Sequence, residues 1–135
     1  MIKCKRLYPD SKLPTRAHAN DAGLDLYVRS AMRCTGGFNV GTGVSVEIPP
    51  GHFGIVLPRS SMNRSGYTTK AGVIDSGYCG EIRVFIGTVE ENENTMILGA
   101  KIAQLVIVPC LLGDVVEADF EGGERGTNGF GSTGK

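Results

Sequence analysis

The sequence predicts a single all-β domain, a jelly-roll-like β-sandwich, and three observations carry that reading. Its 20 glycines and 6 prolines punctuate the 135 residues, and the stretches between them are short and rich in β-branched side chains. Within several stretches apolar and polar residues alternate, the two-residue period of a half-buried strand. No window sustains the 3.6-residue apolar period of an amphipathic helix. A chain of this length buries one core and not two.

In chain order, Ile2 to Tyr8 alternates, and Leu24-Asp25-Leu26 sets a carboxylate between two core-facing leucines, so that Asp25 lies on the opposite face. Val44 to Ile48 alternates, and Pro49-Pro50-Gly51 supplies a turn into His52 to Leu57, which makes that pair read as a hairpin. Ser61 to Ser65 is the one stretch suited to a helical turn. Gly72 to Asp75 is a short strand ending in a carboxylate, and Glu81 to Ile86 alternates again. Ile102 to Val108 is apolar almost throughout, as expected of a central strand covered on both faces. These elements make residues 1–121 the β core and leave residues 122–135 as a flexible arm. Gly122 to Gly134 holds six glycines and almost no aliphatic residue, so composition alone reads as a disordered tail. Phe130, set between Gly129 and Gly131 and followed by Ser132 and Thr133, fits a different role: a segment that orders on a ligand, with a ring for a base and hydroxyls for phosphates.

The 14 basic and 14 acidic residues cancel, which argues against a nucleic-acid backbone or an anionic membrane as partner. No apolar run approaches the roughly 20 residues that span a bilayer, and Met1-Ile2-Lys3-Cys4-Lys5 lacks the apolar stretch of a secretory signal. A cytoplasmic protein is expected, in the host cytoplasm or nucleus if the gene is viral. Cys4, Cys34, Cys79 and Cys110 are scattered and read as free thiols, and neither His18 nor His52 has a companion ligand for a metal site.

Three clusters bear chemistry. Pro58-Arg59-Ser60-Ser61 follows a strand directly, so that a guanidinium and two hydroxyls emerge where backbone N–H groups are free, a combination suited to a polyphosphate or to an ordinary surface ion pair. Asp25 and Asp75 are either turn-forming residues or a working pair, one orienting a hydrated magnesium ion and the other taking a proton from water. Gln104, inside an apolar strand, needs a hydrogen-bond partner, because burying its amide unpaired costs about 1–3 kcal/mol. That partner is a neighbouring loop or a ligand. Gly129 to Lys135 matches G-x-x-x-x-G-K, but it lacks the strand before and the helix after that a P-loop requires.

Five segments, Ala22 to Leu26, Pro58 to Ser61, Gly72 to Gly80, Ile102 to Leu105 and Arg125 to Gly134, resemble in order and spacing the five motifs of the trimeric dUTPases. The resemblance covers nearly the whole chain and implies the dUTPase-like β-clip form of the sandwich. It implies hydrolysis of dUTP to dUMP and pyrophosphate, with Asp75 activating water for in-line attack on the α-phosphorus. Tyr78 would pack on the deoxyribose and exclude a ribose 2′-hydroxyl. The hairpin Thr69, Lys70, Ala71, Gly72 would read uracil through its main chain. Arg59, Ser60, Ser61 and Gln104 would hold phosphates, and Asp25 would act on Mg2+ through water. Phe130 would stack on uracil, while Arg125, Gly131, Ser132 and Thr133 close over the phosphates. The resemblance also implies a homotrimer whose sites are shared between subunits.

Two rivals share this scaffold. A dCTP deaminase carries a glutamate at the position of Phe85, and a phenylalanine cannot shuttle a proton. A non-catalytic regulator would be signalled by loss of Asp75 or of the arm, and both are present. The chain departs from the family pattern at Cys79, at Thr88 and in the acidic run Gly87 to Asn94, where a protein partner would dock if there is one.

Overall fold

The computed structural model describes residues 1–135 except Ser65, Ala71, 89–96, Glu124, Arg125 and 127–135, together with the side chain of Asn63. Ala71, Arg125, Phe130, Gly131, Ser132 and Thr133, and the acidic run from Glu90 to Glu93, therefore lie outside the described residues.

The chain is all-β. Strands β1 (Cys4–Arg6) and β5 (Val44–Val46) pair as an antiparallel ribbon. One four-stranded sheet runs β2-β10-β6-β8, from Leu24–Tyr27, Lys101–Pro109, His52–Pro58 and Gly72–Asp75. The other runs β3-β4-β9-β7, from Ser30–Cys34, Gly37–Gly41, Arg83–Thr88 and Tyr67–Lys70. All described strand pairs are antiparallel. The single described helix, α1, spans Ser60–Arg64 and begins one residue earlier than the turn expected from Ser61. No helix among the described residues is long and apolar enough to cross a membrane.

The two large sheets share one core, to which the first gives Leu24, Leu26, Val56 and Leu105 and the second gives Phe38, Val40, Val84 and Ile86. Alternation predicts this well in β9, where Val84 and Ile86 are buried while Arg83 is exposed. Each such side chain removed from water contributes about 1.5–3 kcal/mol.

The expected hairpin of Val44 to Ile48 with His52 to Leu57 does not form. β5 pairs with β1, and β6 pairs with β10 and β8. Pro49 and Pro50 offer no N–H to a ladder, and Gly51, at φ 72°, turns the chain so that it leaves one sheet and enters another. The turn closes through His52 N–H on Pro49 O at 3.2 Å. Thr69 to Gly72 is likewise not a paired hairpin: Thr69 and Lys70 pair with β9, whereas Gly72 pairs with Val56 of β6.

β10 is central, as expected, but only its inner face is fully covered. Ala103 and Leu105 are buried on the core side, whereas Gln104, Val106 and Val108 on the other face are half-exposed. The register places Phe53, Ile55 and Leu57 of β6 and Val73 of β8 on that same outer face, and Val73 is 61% exposed. Beyond β10, residues 111–120 form no strand and are exposed throughout, including Leu111, Leu112, Val115, Val116 and Phe120.

Candidate active site

The β2-β10-β6 register brings Asp25, Gln104 and Leu57 side by side on the outer face of the first sheet. Leu24 and Leu26 fill the core, which forces Asp25 to that face. Its backbone is fixed on both edges, because Thr15 exchanges two hydrogen bonds with it, at 2.7 and 3.3 Å. The Asp25 carboxylate, 12% exposed, accepts Arg59 Nε on one oxygen at 2.9 Å and Lys101 Nζ on the other at 2.7 Å. Those contacts raise the Lys101 pKa: the hydrogen bond to Asp25 is the largest cause, and loss of hydration opposes it.

Arg59 leaves the end of β6 at Pro58 and also donates from Nη1 to Lys101 O at 3.3 Å. The same nitrogen lies 3.5 Å from Ser61 Oγ. Ser60 and Ser61 stand exposed at the start of α1. Gln104 satisfies its amide nitrogen on Pro58 O at 3.0 Å, and a Cβ at Gly23 would collide with its amide oxygen. A cleft of roughly 470 Å³ opens over this group, lined by Asp21, Gly23, Asp25, Arg59, Gln104 and Val106, among others. It presents a held guanidinium and a small glycine wall, suited to an anion with several oxygens.

Asp75 is elsewhere. It ends β8 opposite Phe53, at the start of β6, whereas Asp25 lies level with Leu57 near the end of β6. Four residues of rise and three strand spacings separate them, on the order of 20 Å between Cα atoms. The Asp75 carboxylate is exposed and makes no hydrogen bond or ion pair with the described residues. Its carbonyl closes a turn by accepting Tyr78 N–H at 3.1 Å, and Gly77 takes φ 88° at the third position, where glycine is favoured. Ser76 Oγ ties the turn to Ile48 O at 3.0 Å. Tyr78 lies 48% exposed, its hydroxyl donating to Glu81 O at 3.1 Å, and a Cβ at Gly80 would strike its ring. The Glu81 carboxylate in turn accepts Gly43 N–H and Arg83 Nη1, each at 2.8 Å, which anchors the tyrosine's support.

Of the residues expected to read a base, Thr69 points into the core, with a buried hydroxyl that finds no partner among the described residues. Lys70 is exposed with its ammonium 4.6 Å from the Phe85 ring centre. Phe85 thus supports a cation where a deaminase would need an acid. All four cysteines are free thiols, and His18 and His52 bind Asp21 and Pro50 O respectively.

One chain therefore unites Asp25, Arg59, Ser61 and Gln104, and separately Asp75 with Tyr78, but it does not join the two groups. Sequence reasoning missed Lys101, Gly23 and Gly80. The glycines beside Asp25 and after Tyr78 were visible signals of close approach, whereas nothing local marked Lys101.

Among the described residues no three carboxylate, histidine or cysteine side chains gather as a metal site. Asp25 has both oxygens engaged, yet a carboxylate accepts about four hydrogen bonds, so lone pairs remain for the water shell of an ion. The donor set fits a hydrated Mg2+ carried in by an anion, and does not fit a resident ion bound directly.

A family model described as dUTPase matches residues 10–134. The chain is 40% identical over 133 residues to the deoxyuridine 5'-triphosphate nucleotidohydrolase of Candida albicans, covering 94% of this chain and 84% of that one. It is 38% identical over 140 residues to the same-named protein of Clostridium tetani, covering 99% and 97%. Among solved structures, the dUTPase of Staphylococcus bacteriophage 80alpha with dUpNHpp superposes with a TM-score of 0.87 at 28% identity, covering 100% of this chain and 99% of that one.

Proposed function

The chain belongs to the dUTPase family and is a dUTP diphosphatase, and from that premise we propose how its residues hydrolyse dUTP to dUMP and pyrophosphate. The observation that supports the reading is the division of the site: a guanidinium clamp for phosphates at one end of the sheet, and at the other a carboxylate uncommitted among the described residues beside an exposed tyrosine.

Asp75, without a partner among the described residues, takes a proton from water as the water oxygen bonds to the α-phosphorus. The bond from that phosphorus to the bridging oxygen breaks in line, and pyrophosphate leaves. Arg59, Ser60, Ser61 and Gln104 hold the phosphates, so that attack meets a fixed α-phosphorus. Asp25 would hold through water the Mg2+ of the bound triphosphate, an ion that would supply charge neutralisation for the departing pyrophosphate. Tyr78 packs on the deoxyribose, with no room for a ribose hydroxyl, and main-chain groups of 69–72 read uracil. No covalent intermediate is required, because among the described residues both histidines are engaged away from any serine or cysteine of the site, His18 with Asp21 and His52 with Pro50 O. Removing dUTP in this way keeps uracil out of DNA and supplies dUMP for thymidylate synthesis.

The two half-sites meet only if copies of the chain associate, and a homotrimer with shared sites fulfils this. The half-exposed apolar face of Phe53, Ile55, Leu57, Val106 and Val108 and the bare leucines and valines of 111–116 support such association. Residues 122–135 act as an arm over the bound nucleotide, Phe130 stacking on uracil and Arg125, Gly131, Ser132 and Thr133 meeting phosphates. Stacking of this kind contributes about 1–3 kcal/mol per base.

Pyrophosphate release from dUTP, dCTP, dTTP and UTP with magnesium, for wild type and Asp75→Asn, tests the reading. Release from dUTP alone, lost in the variant, supports it. Equal release by the variant removes Asp75 from the chemistry.

A further inference from the structure

The phosphate clamp contains a cation that none of the five motif assignments uses. Lys101 opens β10, where strict alternation from Gln104 would turn its side chain into the core. A β-bulge prevents this: Lys101 pairs with Tyr27 and Ala103 with Leu26, so two steps of β10 oppose one step of β2. Ile102 is the extra residue, and both it and Ala103 are buried, at 1% and 0% exposure. The bulge delivers Lys101 to the face that carries Asp25.

There Lys101 touches the clamp twice, through Nζ on Asp25 Oδ2 at 2.7 Å and through its carbonyl, which accepts Arg59 Nη1 at 3.3 Å. With only Arg59, Asp25 would cancel the guanidinium charge. Adding Lys101 leaves the trio with one net positive charge and pins the carboxylate by both oxygens.

We propose that Lys101 is a positioning residue for the triphosphate, its bulge-directed ammonium and its carbonyl together fixing Asp25 and Arg59 so that the guanidinium faces the cleft with uncancelled charge. This rests on the dUTP-hydrolysing reading above. Its effect falls on substrate capture, because Lys101 acts through Asp25 and Arg59, which meet the phosphates, and stands at the opposite end of the sheet from Asp75 of its own chain.

The test is steady-state hydrolysis of Mg-dUTP by wild type, Lys101→Gln and Lys101→Arg, each first confirmed as folded by circular dichroism. Lys101→Gln should raise KM by about tenfold, the scale of one charge-assisted contact, with kcat within about twofold. Lys101→Arg should restore KM, since it keeps charge and donors. An unchanged KM in Lys101→Gln, or an arginine variant as impaired as the glutamine one, overturns the role of Lys101. A wild type that releases no pyrophosphate from dUTP defeats the underlying reading before any variant is compared. If Lys101→Gln does not fold, the Lys101 Nζ resonance of the wild type decides instead. A shift on adding a non-hydrolysable dUTP analogue and not on adding deoxyuridine supports the proposal, and the same response to both overturns it.

Discussion

The two aspartates of the candidate site differ in how far their lone pairs are committed, and that difference sorts their proposed roles. Asp25 is clamped between Arg59 and Lys101, whereas Asp75 has no partner among the described residues. A general base of this kind accounts for about 10²–10⁴ in rate, so Asp75→Asn should lower kcat by that factor while a non-hydrolysable dUTP analogue still binds, as isothermal titration would show. Asp75 was legible in the sequence because a polar residue closing a short strand is exposed by its position. Lys101 was not, because its direction depends on a bulge that alternation cannot reveal. Titration adds a second prediction at this scale. The Lys101 pKa is raised, first by its hydrogen bond to Asp25, and the Cys4 thiol is raised by burial, with Arg6 opposing. For both groups the folded chain holds its proton more tightly than the unfolded one, so the stability they add is complete below the unfolded values, 9.0 for Cys4 and 10.5 for Lys101, and is lost as pH rises through the folded values. Urea midpoints should fall above pH 9, and Cys4→Ala should flatten the first part of that fall.

At the scale of elements, the alternation of β2 and β9 was read correctly, that of β1 and β5 only in part, since β1 is confined to Cys4–Arg6 and Ser45 is buried, and the hairpin connections were not. Periodicity reports which face a side chain takes, which is why Leu24, Leu26, Val84 and Ile86 were all placed inward. It carries no information on which strand lies alongside, and so Pro49-Pro50-Gly51 was taken for a hairpin turn when it is a crossing between sheets. Leu105 sits at 0% exposure in the middle of the central strand, so Leu105→Ala should cost about 2–5 kcal/mol by urea denaturation. The Asp75 to Tyr78 turn makes a subtler test. Gly77 holds φ 88°, a conformation that costs an alanine about 1–2 kcal/mol. Gly77→Ala should displace Tyr78 from its seat on Gly80 and Glu81, and it should narrow the preference for dUTP over UTP, measured as the ratio of kcat/KM values, more than it lowers stability.

For the whole molecule, the decisive fact is the distance between half-sites. Asp25, Arg59 and Gln104 occupy one end of the first sheet and Asp75 with Tyr78 the other, on the order of 20 Å apart by strand geometry. A triphosphate with its sugar cannot bridge that span and still place the α-phosphorus within reach of a water on Asp75. A closed symmetric assembly would solve this by setting the clamp of one copy against the turn of the next. If so, Arg59→Ala and Asp75→Asn each disable every site in their own homotrimer, but they damage different partners. Unfolded together in equal amounts and refolded, the two chains should recover about a quarter of wild-type activity, because random symmetric assembly pairs an intact Arg59 with an intact Asp75 in that fraction of sites. A site built within one chain would recover nothing, since every chain in the mixture lacks one of the two groups. Recovered activity should also vanish if the variants are refolded separately and mixed without unfolding, unless subunits exchange, which size-exclusion chromatography of tagged and untagged chains would detect.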